Sequence, residues 1–286
     1  MMNHRFLVCI MRFTGTAIID LVLYCLAAAA LLAAFFGRGP VFVRERKGFM
    51  VSVAAAAVLL HTLLAYAAIF LPHGMDLGFF NAAALVGWLL ALIAFAVMFK
   101  AHFGALGIVL FPLAGVSMLL AELYPSDRLM VIEGSWPLDA HIVLSLIAYS
   151  LLAVAALQAL AIAVQEYRLR HKSADGAWSA LPPLQLMERF LFQLIAAGFI
   201  LLTVALIFGL LFVHNLLAQH LTHKTALSVI AWIVFAVLLW GRWQFGWRGR
   251  TAIRWTLGGF VVLALAYFGD KFILEMILGR HWTLMS

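Results

Sequence analysis

Apolar residues in this chain run in stretches of about twenty, long enough to cross the hydrocarbon layer of a bilayer, and short polar loops separate them. Eight such segments lie at roughly 16–36, 50–71, 79–99, 103–123, 138–165, 189–214, 225–242 and 252–278. The pattern predicts an all-α integral membrane bundle of about eight transmembrane helices. Residues 7–11 are too short an apolar run to span, and residues 1–15, with Arg5 and Arg12, read as an N-terminal extension. The first span runs into a basic loop without a small-residue cleavage site, unlike a cleavable signal. Residues 16–286 are expected to form one transmembrane domain, because no loop is long enough for an independent one. No internal repeat of the inverted-repeat transporter kind is visible.

The polar loops alternate in charge. Arg38, Arg44, Arg46 and Lys47 precede the second span, and Lys100 marks the next turn on that side. Arg168, Arg170, Lys172 and Arg189 flank a connector that holds Pro182-Pro183, a stop before the sixth span. Arg242, Arg248, Arg250 and Arg254 surround the last turn of this set. Thirteen of the nineteen Lys and Arg thus fall on one side, which the positive-inside rule makes cytoplasmic. Both termini are then expected outside, with outer loops at 73–78, 124–137 and 215–224.

Composition sharpens the assignment. The chain has 286 residues, of which 66% are hydrophobic and 11% charged, and its mean hydropathy is +1.08. Soluble domains are nearer half apolar and a quarter charged. The net charge of +7 sits in loops as a topology signal, so nucleic acid is not an expected partner and membrane lipid is. Cys9 and Cys25 have no metal-ligand or redox spacing. A Gly-rich phosphate loop, HExxH and GxSxG are all absent, which leaves hydrolytic and nucleotide chemistry without machinery.

Polar side chains inside the apolar segments are the candidates for function. His61 lies about ten residues from either end of its span, roughly 15 Å below the outer boundary. Its ring either satisfies itself on a neighbouring backbone carbonyl or serves a function, and the second reading gains from its being alone at that depth. Asp20, Glu122, Asp270 and Glu275 are expected in the outer portions of their spans, with Lys271 and Glu275 able to pair. Without a carboxylate at the midplane, a proton- or cation-coupled carrier is disfavoured. His141, Ser145 and Tyr149 recur at i, i+4 and i+8 and share one helix face, with His141 at its outer mouth. Thr203 and His214 are also in register, and His223 follows in a short loop. Thr225, Ser228 and Trp232 form a further stripe. His73 and His220 read as solvated loop residues. Neutral imidazole is well suited to hold iron, so these histidines make haem handling the specific hypothesis.

Several runs carry a family resemblance. They are His141-Ile-Val-Leu-Ser145-Leu-Ile-Ala-Tyr149, Lys224-Thr-Ala-Leu-Ser228-Val-Ile-Ala-Trp232, Gly246-Trp247-Arg248-Gly249-Arg250 and Ala266-Tyr267-Phe268-Gly269. In that order, with the His61 helix, they resemble the CcsA-type cytochrome c assembly family over nearly the whole chain from about residue 16. Asp76-Leu-Gly-Phe-Phe-Asn81 and Pro182-Pro183-Leu-Gln-Leu-Met-Glu188-Arg189 fit its short YpjD-like and HemX-like members.

The resemblance implies a multi-pass protein of the bacterial inner membrane that handles haem as its cofactor, with other cytochrome-assembly or membrane proteins as partners. It assigns His61 and His141 as axial ligands of the haem iron. His214, His223, Ser145, Tyr149 and Trp232 join them as residues expected around the cofactor. Full haem-attachment proteins of the family also carry a Trp-rich outer loop. Here the corresponding stretch, residues 215–224, has no tryptophan, Trp240 stands where they have a second intramembrane histidine, and His281 has a different spacing. The expected activity is therefore haem binding without bond-making of its own. The alternative is a regulator or assembly partner that keeps the fold without haem.

Overall fold

The computed structural model describes residues 4–36, 47–71, 74–76, 78–99, 104–125, 129–130, 136–171, 182–212 and 222–269. Their helices are α1 (His4–Phe36), α2 (Lys47–Ile69), α3 (Phe79–Met98), α4 (Gly107–Leu123), α5 (Trp136–Arg170), α6 (Leu184–Phe212), α7 (Thr222–Phe245) and α8 (Arg250–Ala264). Seven of the helices are long and apolar enough to cross a membrane, and α4 is a shorter apolar helix of the same character. They match the eight expected segments one for one. The helices fall into two compact units, of which the first holds α1–α4 and the second α5–α8.

In the first unit the inward faces are built from small residues at helical spacing. Ala17, Asp20, Tyr24, Ala27 and Leu31 of α1 are buried, as are Ala54, Ala57, His61, Leu64 and Ala65 of α2. Ile18, Ile19, Val22 and Leu26 of α1 and Leu59 and Leu63 of α2 point outward. Large apolar side chains outside and small ones inside are the arrangement lipid favours, because close backbone approach replaces the hydrophobic drive between helices. Gly115 of α4 shows how close that approach is, since a Cβ there would lie 2.9 Å from the Leu21 Cα of α1.

One feature of this unit is invisible in the hydropathy pattern. Strands β1 (Phe70–Leu71), β2 (Gly74–Asp76) and β3 (Leu129–Met130) form a small antiparallel sheet, in register at Phe70 with Met75 and at Met75 with Met130. Asp76 then prepares the entry to α3. Its carboxylate accepts the Gly78 amide at 2.9 Å and its carbonyl accepts the Asn81 side-chain amide at 3.3 Å, an Asx turn of the kind that starts helices.

In the second unit α5 is the central helix. Leu146, Ala148, Leu152, Val154, Ala155 and Ala159 are buried along it, and α6 and α8 pack against it. Two of its buried polar side chains donate to carbonyls of the chain entering α6. Gln158 donates to the Met187 carbonyl at 3.2 Å and Gln165 to the Pro182 carbonyl at 3.1 Å. Between α7 and α8 the chain turns through Gly246 and Gly249, both at positive φ, where glycine alone is unstrained. Glu188 of α6 accepts the Gly249 amide at 2.8 Å and lies 3.6 Å from Arg248. Glu166 of α5 faces both Arg170 and Arg250. The Trp-Arg-Gly-Arg run that contributed to the resemblance is thus a clamp closing one end of this unit. Trp243 and Phe245 stand exposed beside it, as aromatic residues do at a membrane interface.

Candidate functional site

The first polar centre lies inside the first unit. The spacing of α2 carries His61 inward with its alanine neighbours, and no part of its side chain is exposed. Its Nε2 lies 3.2 Å from the Ala84 carbonyl of α3. The carbonyl can only accept, so Nε2 carries the hydrogen. The other ring nitrogen, Nδ1, faces Asp20 Oδ2 of α1 at 3.5 Å. Tyr24, one turn on from Asp20, sets its ring edge-on to His61 with centroids 5.8 Å apart and stacks on Phe111 of α4.

This corrects one expectation. His61 is not alone at its depth: Asp20, the sixth residue of the apolar span Gly15–Phe35, is as fully buried and lies beside it. The signal was present in the sequence, since Ala17, Asp20, Tyr24, Ala27 and Leu31 repeat at three- and four-residue intervals and define one face.

Adjoining His61, Thr62 donates to the Val58 carbonyl at 2.7 Å and accepts from the indole of Trp88 of α3 at 2.8 Å. The second unit uses the same device. Thr203 of α6 donates to the Phe199 carbonyl at 2.7 Å and accepts from the Trp232 indole of α7 at 2.9 Å. Trp232 also stacks on Phe199, with centroids 5.5 Å apart. Its polar partner is therefore Thr203 on the neighbouring helix.

The second polar centre is His141, near the start of α5. Its ring is half-buried and its Nδ1 lies 2.7 Å from the Ala205 carbonyl of α6. By the same logic Nδ1 donates, and a neutral ring then keeps its lone pair on Nε2. Gly209, one turn beyond Ala205, makes room, since a Cβ there would stand 3.0 Å from His141 Cε1. Two turns along the His141 face, Tyr149 is buried among Phe260 of α8 and Tyr267 and Phe268 of the π-turn that follows it, with centroids 5.3–5.5 Å apart. Ser145 lies between them on α5, half-buried.

The other expected site residues stand apart from these centres or beyond view. His214 lies outside the described residues, as do His73, His220, Asp270, Lys271, Glu275 and His281. The backbone of His223 lies in the first turn of α7, and its side chain lies outside the described residues. Trp240 is exposed and rests edge-on against Phe245. Among the described residues no three His, Cys, Asp or Glu side chains gather as a metal-binding group.

A fit to haem iron can be tested on the two histidines. At His141 a carbonyl fixes the tautomer and leaves one nitrogen free, the support that ligating histidines ordinarily have. At His61 one nitrogen is bonded to a carbonyl and the other faces a carboxyl group, so in this arrangement no lone pair is free for iron.

These features define a multi-helix membrane protein with interior histidines, each tied to the backbone of a neighbouring helix. Residues 50–278 match the family described as "Cytochrome C assembly protein", and the chain belongs to that family. It is 31% identical to the inner membrane protein YpjD of Escherichia coli K12, over 91% of this chain and 98% of that one. It is 24% identical to the cytochrome c biogenesis protein CcsA of Synechococcus sp. CC9902, over 48% of this chain and 53% of the relative. No solved structure matches.

Proposed function

We propose that this protein binds haem in cytochrome c biogenesis at the bacterial inner membrane, with His141 as an axial ligand. The observation that carries the reading is the Ala205 carbonyl on His141 Nδ1, which orients the ring and leaves Nε2 to donate to iron. His214 and His223, expected on the same outer side, are the proposed sources of a second ligand. Tyr149, Ser145 and Trp232 line or brace the same helices and would position the cofactor through apolar and hydroxyl contacts. Bound haem would supply the iron centre and a hydrophobic macrocycle for transfer to other assembly proteins. The chain itself supplies ligation and shelter from water, not bond-making.

Family membership and the similarity to YpjD and CcsA support the setting. The test is an absorption spectrum of protein purified in mild detergent after haem loading. A Soret band that shrinks or shifts in His141→Ala, and is partly restored by imidazole, is the expected result. Imidazole can replace a lost ligand but not a lost packing contact. A wild-type protein that takes up no haem would leave the alternative, an assembly partner that retains the fold alone.

A further inference from the structure

We propose that Asp20 and His61 hold a single proton between them as a neutral carboxylic acid–imidazole pair, a buried proton site that joins α1 to α2. The inference does not rest on the haem reading, which makes no use of His61.

The hydrogen-bond geometry counts the protons. His61 Nε2 points at the Ala84 carbonyl, 3.2 Å away, and so carries a hydrogen. On the other side of the ring, Nδ1 and Asp20 Oδ2 are 3.5 Å apart, both wholly buried. Among the described residues neither carboxyl oxygen of Asp20 nor Nδ1 has a hydrogen-bond partner. An imidazole lone pair facing a carboxylate would set two acceptors against each other in an apolar interior. One proton between them turns the clash into a hydrogen bond, and a small side-chain adjustment brings the pair within bonding distance.

The surroundings decide which atom carries that proton. Placing it on His61 gives a carboxylate and an imidazolium, two desolvated ions whose attraction must offset the loss of water around both. Placing it on Asp20 leaves both groups neutral. The neighbours favour the neutral form. Tyr24, on α1, presents its ring edge to His61. From α3 comes the Ala84 carbonyl, and from α4 comes Phe111, stacked on Tyr24. Asp76 is engaged with Gly78. Of the other titratable side chains described on these helices, Cys25, Tyr66 and Tyr124 are exposed and Glu122 is half-buried. None hydrogen-bonds to the pair, and the described side chains of α1–α4 include no Lys or Arg. With no cationic side chain among the described residues of α1–α4 to hold a carboxylate, the acid form is the one this interior accommodates.

Two spectra of the full-length protein in lipid nanodiscs at neutral pH test this. The infrared spectrum should contain a protonated-carboxyl stretch that disappears in Asp20→Asn. The Glu122 contribution cancels in the difference. The nitrogen-15 spectrum should show one neutral histidine ring protonated on Nε2, assigned by its loss in His61→Gln. A carboxylate band lost in Asp20→Asn, or an imidazolium signal lost in His61→Gln, would overturn the proposal. If Asp20→Asn does not fold, the nitrogen spectrum of the unaltered chain, read against His61→Gln, decides alone.

Discussion

Replacing Gly209 by alanine isolates the support of His141 from its chemistry. The new methyl would meet His141 at 3.0 Å from Cε1 and 3.2 Å from Nδ1, so the ring must retreat by a few tenths of an ångström. That motion stretches the 2.7 Å bond to the Ala205 carbonyl. A weakened hydrogen bond of this kind costs on the order of 0.5–1.5 kcal/mol. The same substitution inside a helix gains up to about 1 kcal/mol from the greater helix preference of alanine. The two nearly cancel, so Gly209→Ala should melt within a few degrees of the unaltered protein. Ligation has no such compensation. Disturbing the partner that orients a ligating histidine ordinarily lowers affinity about 10–100-fold, and haem titration followed at the Soret band should show a loss of that order. His141→Ala should lose more, and imidazole should restore part of its spectrum, whereas Gly209→Ala should respond little to imidazole because its ligand is still present. Unchanged haem affinity in Gly209→Ala, beside a large loss in His141→Ala, would refute the claim that the Ala205 bond sets the ring. A collapse of thermal stability would refute the energy balance.

Other outcomes follow from the remaining contacts. Thr62→Val and Thr203→Val each leave an indole N–H without its acceptor, Trp88 in one unit and Trp232 in the other. Each should cost about 1 kcal/mol, seen as a lower melting temperature in detergent, and an unchanged melt in both would mean that the indoles find other partners. For orientation, the basic loops predict that an exported reporter enzyme fused after Ser286 is active and a cytoplasmic one is not. The reverse pattern would invert the bundle. The stretch before Lys224 has no tryptophan, so the protein alone should not attach haem to an apocytochrome CxxCH reporter in a strain without its own assembly system. Covalent haem staining of that reporter would contradict this.

Helix existence was legible because lipid imposes one strong rule, a long apolar run per crossing. The eight segments appeared in the hydropathy alone, and the shared face of His141, Ser145 and Tyr149 appeared in their spacing. The three strands did not, because two or three residues paired across loops leave no periodic trace. The pairing of Asp20 with His61 was missed for a different reason. The position of Asp20 toward one end of its span drew attention away from the face it shares with Ala17 and Tyr24, and that face decides which way the side chain points. The partners across helices were out of reach from one sequence. Trp232 looked like one member of a stripe with Thr225 and Ser228, yet its bond is to Thr203 on α6. The carbonyls of Ala84 and Ala205 carry no side-chain signal at all.

The length of α5 has a mechanical consequence. At 35 residues it measures roughly 50 Å, while the hydrocarbon layer is about 30 Å thick. An upright α5 therefore projects well beyond the apolar layer, and its polar end carries Glu166, Arg168 and Arg170. His141 sits near the opposite end. A protein that docks on the charged end and tilts or turns α5 moves a stiff lever whose far arm holds the imidazole. Contact at the charged end would thereby reach the pose of His141 near the other end without any bending of the chain between them.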